Sequence, residues 1–484
     1  MVENNNIETV IIGGGFGGIS AAIELKKKKR NDFIILDSQD DLGGVWQENK
    51  YPGCSADMPG VLFGFRDEPL FNLGFDQPSR NDVVSYLKFL CNKYNIGPEF
   101  RHNVDVDSLA WDEHTGRWSI LTNQGAFTAR FVIMSSGSSG NINTPNIPGL
   151  DAFKGRLIHT ANWPDDVDNF DKDTVVVGTG ASAIQIIPHL AKVCKSLTIM
   201  QRTPRWILPK YRIKFIPKFL QRKALLKATG NLLESFVDYN ARPLIEGNEK
   251  KLRKLDARYK KVMRKNVGDN IDHAEVMPKA PFGCSRSLFS SEYFPTLRLE
   301  NVHLTSAVQE VGERSVLDKD GNWHPADNLI LATGYNRFER NFDIFGRRGI
   351  SIFEQWEKKG PLALMGVFIE NMPNLIFMSG PNSGILNSAP RALKEQAILG
   401  VRMIVSTIEA GDIDYFEPST DSVDRYMDTL RPILSGSIWA KDFCNAWYVL
   451  KGREGAVNPV IFPNSLEHYR RLSREFNVGN LILS

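Results

Sequence analysis

At 484 residues the chain has room for two or three domains, and 42% hydrophobic with 24% charged residues is ordinary for a globular protein. A net charge of +3 argues against nucleic acid as a partner, and no run of about 18 apolar residues is present to cross a bilayer. The lead MVENNNIETVIIGGG enters a strand without a basic and apolar leader, so no secretory signal is expected.

Thr9–Ile12 reads as an apolar strand, Gly13–Gly18 as a turn and Ile19–Leu25 as a helix. Phe33–Leu36 is a second strand, ending on Asp37. This is a βαβ unit of the size a dinucleotide fold needs. Gly13-x-Gly15-x-x-Gly18, with Phe16 inside it, permits a tight turn and close approach of a pyrophosphate. The helix that follows offers its N–H groups to phosphate. Asp37 is placed to accept from ribose hydroxyls, which suits FAD or NAD and disfavours a 2′-phosphate. The basic run Lys26–Arg30 fits a helix C-terminus on a solvated surface.

Gly43, Gly44, Val45 and Trp46 come next, two glycines and an indole suited to packing along a flavin. Tyr51-Pro52-Gly53-Cys54 precedes Asp57, whose side chain either enters a cleft or closes an Asx turn or helix cap. Short alternating strands from Trp111 to Ile133 suggest an antiparallel insert, and Val106 ahead of them is assigned to the cofactor contacts. Phe131–Met134 leads into the small turn Ser135–Gly137. The stretch FKGRLIHTANWP, Phe153–Pro164, joins this half to the next.

Thr174–Val177 opens a second βαβ unit, with the loop Gly178-x-Gly180-x-Ser182, the helix Ala183–Ala191 and the strand Leu197–Met200. Thr179, Gln185 and Thr203 fall within its expected nucleotide contacts. Arg202 stands where the first unit has Asp37. A guanidinium suits a 2′-phosphate that a carboxylate would repel, so NADP is expected here and FAD at the first loop.

Arg205–Lys279 reads as a helical insert with nineteen Lys and Arg against eight Asp and Glu. That charge is compatible with peripheral contact to an anionic membrane, but charge on both helix faces favours a lid over the substrate. Ile207, Leu208 and the run Phe215–Leu220 hint at an apolar ligand or at helix core. Asn328–Thr333 and Leu375–Met378 are further buried strands, each followed by glycine. The expected fold is α/β: two dinucleotide-binding Rossmann-like domains, for FAD and NADP, with a helical insert. The segments are 1–150 (first flavin part), 151–310 (NADP part, insert about 205–280) and 311–484 (second flavin part and C-terminal segment).

Cys54, Cys91, Cys194, Cys284 and Cys444 are odd in number and scattered, which predicts free thiols and a reducing, cytoplasmic setting. No C-x-x-C or C-x-x-x-x-C pair occurs, which argues against the disulfide reductases, a class with the same two-nucleotide plan. No metal site is expected.

Together these motifs resemble the class B flavoprotein monooxygenases, and within them the Baeyer–Villiger monooxygenases. Phe153-x-Gly155-x-x-x-His159-x-x-x-Trp163-Pro164 matches that group's fingerprint, as does the block from Gly43 through Tyr51-Pro52-Gly53 to Asp57. GTGASAIQ with QRTPRW looks like its NADP unit, Leu331–Tyr335 like its second flavin-side motif. The likeness extends through Gly380–Asn382 to CNAWY, Cys444–Tyr448, which brings Trp447 into the cofactor set.

The resemblance implies that NADPH reduces FAD, that O2 gives a C4a-peroxyflavin, and that a ketone becomes an ester or lactone. It implies that Arg286 stabilises the peroxide anion, that Asp57 pairs with and positions Arg286, and that His159, with Trp163 in the same stretch, serves domain movement and nicotinamide placement. The implied partners are a small apolar ketone or sulfide and O2. Two alternatives stay open: a flavin monooxygenase oxidising sulfur or nitrogen, and an NADPH-dependent flavin reductase or redox-sensing protein. The chain departs from the family at Ser285, where Lys often helps hold the 2′-phosphate, at Asp37, where Glu is common, and at Ser135–Gly137.

Overall fold

A computed structural model describes residues 6–70, 76–137, 142–165, 170–210, 223–269, 271–336, 342–384, 387–441, 443–444, 449–451 and 457–484. Phe215–Leu220 and Trp447 lie outside the described residues.

The first sheet is centred on Asn6–Ile12, which pairs in parallel with Phe33–Leu36 and with Gly125–Met134. Phe100–Arg101 extends one side, and Leu375–Phe377 pairs with the Met134 end of Gly125–Met134. Phe33–Leu36 is buried at every residue, as a parallel strand covered on both faces must be. Gly125–Met134 also pairs antiparallel, through its first half, with Arg117–Thr122, which in turn pairs with Val106–Asp112. The antiparallel insert is therefore a continuation of the nucleotide-binding sheet, because one ten-residue strand is long enough to serve both. The helix Phe16–Lys27 packs against Ala389–Ala410, with Lys394 Nζ 2.6 Å from Glu24 between them. Distant segments thus complete the first unit.

The second sheet runs in the order Val302–Thr305, Ser196–Met200, Asp173–Val177, Asn328–Leu331, Arg156–His159, all parallel. Asn328–Leu331 was expected in the flavin part beyond residue 310; instead it lies beside the central strand here, which moves that boundary past 331. A four-residue apolar strand fits either buried parallel sheet, and only tertiary pairing selects one.

The insert forms Lys223–Glu246 and Glu249–Val267, the latter capped by the Asn248 side chain. Lys223–Glu246 packs against Gly60–Phe63 and Thr420–Gly436 of the flavin side. Lys250, Lys254, Arg258, Lys261, Arg264 and Lys265 face solvent, as do Leu232, Phe236 and Tyr239. Glu234 is buried, and takes Arg391 at 2.5 Å and also Arg470. Among the described residues no helix is long and apolar enough to cross a membrane, and no cluster of side chains could hold a metal.

The expectation of five free thiols is corrected. Cys284 and Cys444 form a disulfide across 160 residues, while Cys54, Cys91 and Cys194 are free. Scattered spacing in sequence did not prevent pairing, because the C-terminal segment returns over the 281–286 loop, where Trp439 Nε1 donates to the Gly283 carbonyl at 3.0 Å. The cysteine argument for a reducing compartment loses its basis.

Candidate active site

The first loop admits only glycine at its tightest points. Gly13 has φ +102, and a Cβ on Gly18 would sit 1.9 Å from the Gly13 carbonyl oxygen. Gly15 occupies the N-cap of Phe16–Lys27, so that helix presents its N-terminus to the space above the loop. Asp37 accepts from the N–H of Gln39 at 2.8 Å and from that of Gly14. Burial pushes its carboxyl up, and these two N–H groups pull it only partly back.

The second loop repeats the design. Gly178 has φ +114, and a Cβ there would meet the Ala332 carbonyl oxygen at 2.7 Å. Gly180 caps the helix Ala181–Leu190. The end of Asn328–Leu331 is thus pressed against the loop, and Thr333, Gly334 and Tyr335 emerge between the two units.

Both loops open on a cavity of about 1260 Å³. From the first unit Gly13, Gly15, Phe16 and Asp37 line it, with Gly44, Val45, Trp46 and Val106. From the second unit Gly178, Thr179, Gly180, Ser182 and Gln185 line it, with Arg202 and Thr203 beyond them. The volume exceeds the roughly 300–1,000 Å³ of an ordinary small-molecule pocket and suits two extended nucleotides. Glycine cradles, two helix N-termini, a carboxylate at one ribose position and a guanidinium at the other make the donor set fit FAD and NADP respectively. Gly18 lies behind the wall, where it only allows the turn to close.

Asp57 and Arg286 meet between the loops: Arg286 Nη2 is 2.7 Å from Asp57 Oδ2. The Arg286 side chain is 56% exposed, and both residues line the cavity. Of the two readings of Asp57, cleft or turn, the cleft is the one observed. Arg286 is held from both sides. Ahead of it are the Cys284 disulfide and the Trp439 bond; behind it Leu288–Phe289 pairs in parallel with Ile207–Leu208. Gln185 ties the units together, accepting from Tyr51 Oη at 2.8 Å and donating to the Ser55 carbonyl at 2.9 Å.

His159 and Trp163 are not brought into the cavity. Trp163 is buried and stacks on Phe170 at 5.7 Å. His159 Nδ1 accepts from the Ala161 N–H at 3.1 Å, which leaves its Nε2–H to face Thr333 Oγ1 at 3.2 Å. Thr333 then donates to the Asn143 carbonyl at 2.5 Å. Burial lowers the His159 pKa, so the ring is neutral and supports the wall from behind.

Four charged residues in the cavity escaped the sequence reading: Glu48, Asp105, Arg205 and Lys319. Arg205 lies in QRTPRW, three positions after Arg202, and that proximity was its signal. Lys319 had none, being more than a hundred residues from either loop. For Glu48, burial and the nearby Asp37 push the carboxyl up to about 7. A raised folded pKa means that stability is fully present below the ordinary value of 4.5 and falls as pH rises towards 7. Glu48→Gln is therefore expected to stabilise the protein at about pH 8, by about 1–3 kcal/mol, and to change nothing near pH 4. Thermal unfolding at both pH values decides it; an equal effect at both would count against a buried, titrating carboxyl.

Sheet order, paired glycine loops and shared cavity define a two-nucleotide flavoprotein oxidoreductase. A family model described as pyridine nucleotide-disulphide oxidoreductase matches residues 10–234. A Baeyer–Villiger monooxygenase of Pseudomonas aeruginosa is 30% identical, over 98% of this chain and 90% of its own. One from Streptomyces coelicolor is 29% identical, over 98% and 92%. The chain belongs to the Baeyer–Villiger monooxygenases. Among solved structures, OTEMO in complex with FAD and NADP superposes with a TM-score of 0.87 at 23% identity, covering 99% of both chains. Cyclohexanone monooxygenase bound to ε-caprolactone gives 0.84 at 23%, covering 99% of this chain and 100% of the other. At these identities the superpositions establish the shared α/β fold.

Proposed function

We propose that the protein uses FAD, NADPH and O2 to insert one oxygen atom beside the carbonyl of a small apolar ketone, giving an ester or lactone. The observation that carries this reading is the Arg286–Asp57 pair standing in the cavity between the two glycine loops. Bound FAD would accept hydride from NADPH and activate O2.

The chain's own contribution is placement and electrostatics. Gly13, Gly15 and the helix N-terminus at Phe16 hold the flavin nucleotide's pyrophosphate, and Asp37 faces its ribose. Gly178, Gly180, Thr179, Ser182 and Thr203 hold NADPH, and Arg202 faces its 2′-phosphate. Arg286 sets a fixed positive charge where negative charge develops on oxygen, and Asp57 keeps the guanidinium aimed without a proton leaving it. His159 steadies Thr333 and Asn143 and moves no proton. Leu288, Phe289, Met378 and Leu393 give the cavity the apolar wall a ketone or sulfide needs. Glu234 fixes the inner face of Lys223–Glu246 to the flavin side and none of that helix's described residues lines the cavity, which favours a fixed supporting element over the expected lid or a membrane anchor. NADPH demand is consistent with the cytoplasmic setting we infer.

The lactone-bound cyclohexanone monooxygenase and the two named relatives support the ketone over a heteroatom. The test is a panel of ketones and sulfides with the FAD-loaded protein, NADPH and isotopically labelled O2. A ketone should raise NADPH consumption and yield an ester or lactone with one labelled oxygen. Sulfoxide as the sole product would move the reading to heteroatom oxidation; peroxide release without product over the whole panel would reduce it to a flavin reductase.

A further inference from the structure

The family's lysine beside the catalytic arginine is missing: position 285 is serine, and Ser285 does not line the cavity. Arg202 alone would then hold a 2′-phosphate. We propose that Lys319, supplied by a different element, is the specificity-determining residue that replaces it, acting with Arg202 and Arg205 to select NADPH over NADH. This rests on the NADPH reading above.

The backbone brings the three cations together. Ser196–Met200 ends just before Gln201, whose N–H donates to the Thr305 carbonyl at 3.0 Å, so Arg202 leaves the sheet beside residue 305. The same segment carries Lys319: its N–H donates to the Ala307 carbonyl at 2.9 Å. Arg202 and Lys319 therefore both leave the backbone next to the short stretch 305–307. Arg202, Arg205, Lys319, Ala307 and Val308 all line the cavity that the second glycine loop opens on. Arg205 is the most enclosed of the cations; burial first, and Arg202 next, lower its pKa. Two guanidiniums close enough to repel each other favour an anion between them.

The turn that presents Lys319 is anchored rather than loose. Asp318 is fully buried and accepts from Thr305 Oγ1 at 2.5 Å, His324 Nε2 at 2.8 Å, and the N–H groups of Asp320 and Asn322 at 2.9 Å each. Its negative charge is turned inward and satisfied there, while the neighbouring Lys319 is exposed. A buried carboxylate with these donors, and the Asn322 side-chain amide besides, fixes where the lysine leaves the backbone, so a long, flexible side chain starts from a defined point. An ammonium acts on phosphate as a point charge and does not need the fork geometry of an arginine.

The experiment measures equilibrium binding of NADP+ and NAD+ to the FAD-loaded enzyme by titration calorimetry, without turnover. Lys319→Ala should raise the Kd for NADP+ roughly ten-fold, equivalent to about 1.4 kcal/mol, and leave that for NAD+ unchanged. Lys319→Arg should keep the preference. Adding S285K to the alanine variant should recover it. Because Lys319 is exposed, the unfolding midpoint of each variant should match the wild type. An NADP+ Kd within about two-fold of wild type in Lys319→Ala, or an equal loss for NAD+, would overturn the assignment. A wild type that binds NADP+ no better than NAD+ would overturn the NADPH reading along with it, which separates the two failures.

Discussion

Arg286→Ala is expected to leave flavin reduction by NADPH intact and to lower ester or lactone formation by about 10²–10³-fold, the cost of removing one preorganised charge from a developing anion. The side chain is half exposed and touches Asp57 at 2.7 Å, so its removal leaves no buried cavity. The loop that carries it is anchored independently by the Cys284–Cys444 bond, by Trp439 and by the Leu288–Phe289 pairing, so the backbone should not move. Loss of product can then be assigned to the charge itself. Arg286→Lys should recover part of the rate, because an ammonium keeps the charge and loses the fixed fork. Asp57→Asn should fall between, since it removes the paired charge while leaving the guanidinium in place. Stopped-flow absorbance reads the reduction step, and mass spectrometry with a peroxide assay reads how the reducing equivalents are spent. Product formed by Arg286→Ala at close to the wild-type rate would end the role given to this residue.

The largest effect on stability is expected at Glu234. This carboxylate, on the insert helix Lys223–Glu246, lies between two arginines whose side chains are each 1% exposed. Burial alone would push its carboxyl up; Arg470 and Arg391 reverse this and hold it below the usual range. Arg470 keeps a second partner, Glu395 at 2.7 Å, but Arg391 would be left with the carbonyl oxygens of Val61, at 2.6 Å, and Gly230, at 3.4 Å. Glu234→Ala thus strands a buried guanidinium, which costs about 3–5 kcal/mol. Since the folded carboxyl ionises below its ordinary value of 4.5, this contribution is complete above that pH and is lost as pH falls through the folded value. Urea unfolding at neutral pH measures the loss, and limited proteolysis should show the insert helices cut first. A change below about 1 kcal/mol would mean that the cluster is not what holds the insert down.

Much of the nucleotide chemistry was legible because it is local. Gly13, Gly15, Gly18 and Asp37 fall within one βαβ unit, and Gly178, Gly180 and Arg202 within another. Turn geometry, helix start and charge at the strand end are properties of consecutive residues, so sequence carries them directly. The Asp57–Arg286 pair spans more than two hundred residues, and composition and spacing gave no reason to join them; a family likeness did. His159 and Trp163 show the opposite case. Their place in a recognisable stretch implied a part in domain movement and nicotinamide placement, whereas packing puts one behind Thr333 and the other against Phe170, outside the cavity wall.

By itself the sequence determined two nucleotide loops of opposite ribose charge preference, an α/β architecture and the family to which the chain belongs. Tertiary structure alone decided that Asn328–Leu331 joins the second sheet, that Cys284 finds Cys444, that Glu234 locks the insert between Arg391 and Arg470, and that Lys319 reaches the cavity of Arg202. Each of these joins residues far apart in the chain. Such contacts depend on which buried surfaces meet and which charges are taken from water together, and short-range patterns of hydropathy and turn residues contain neither.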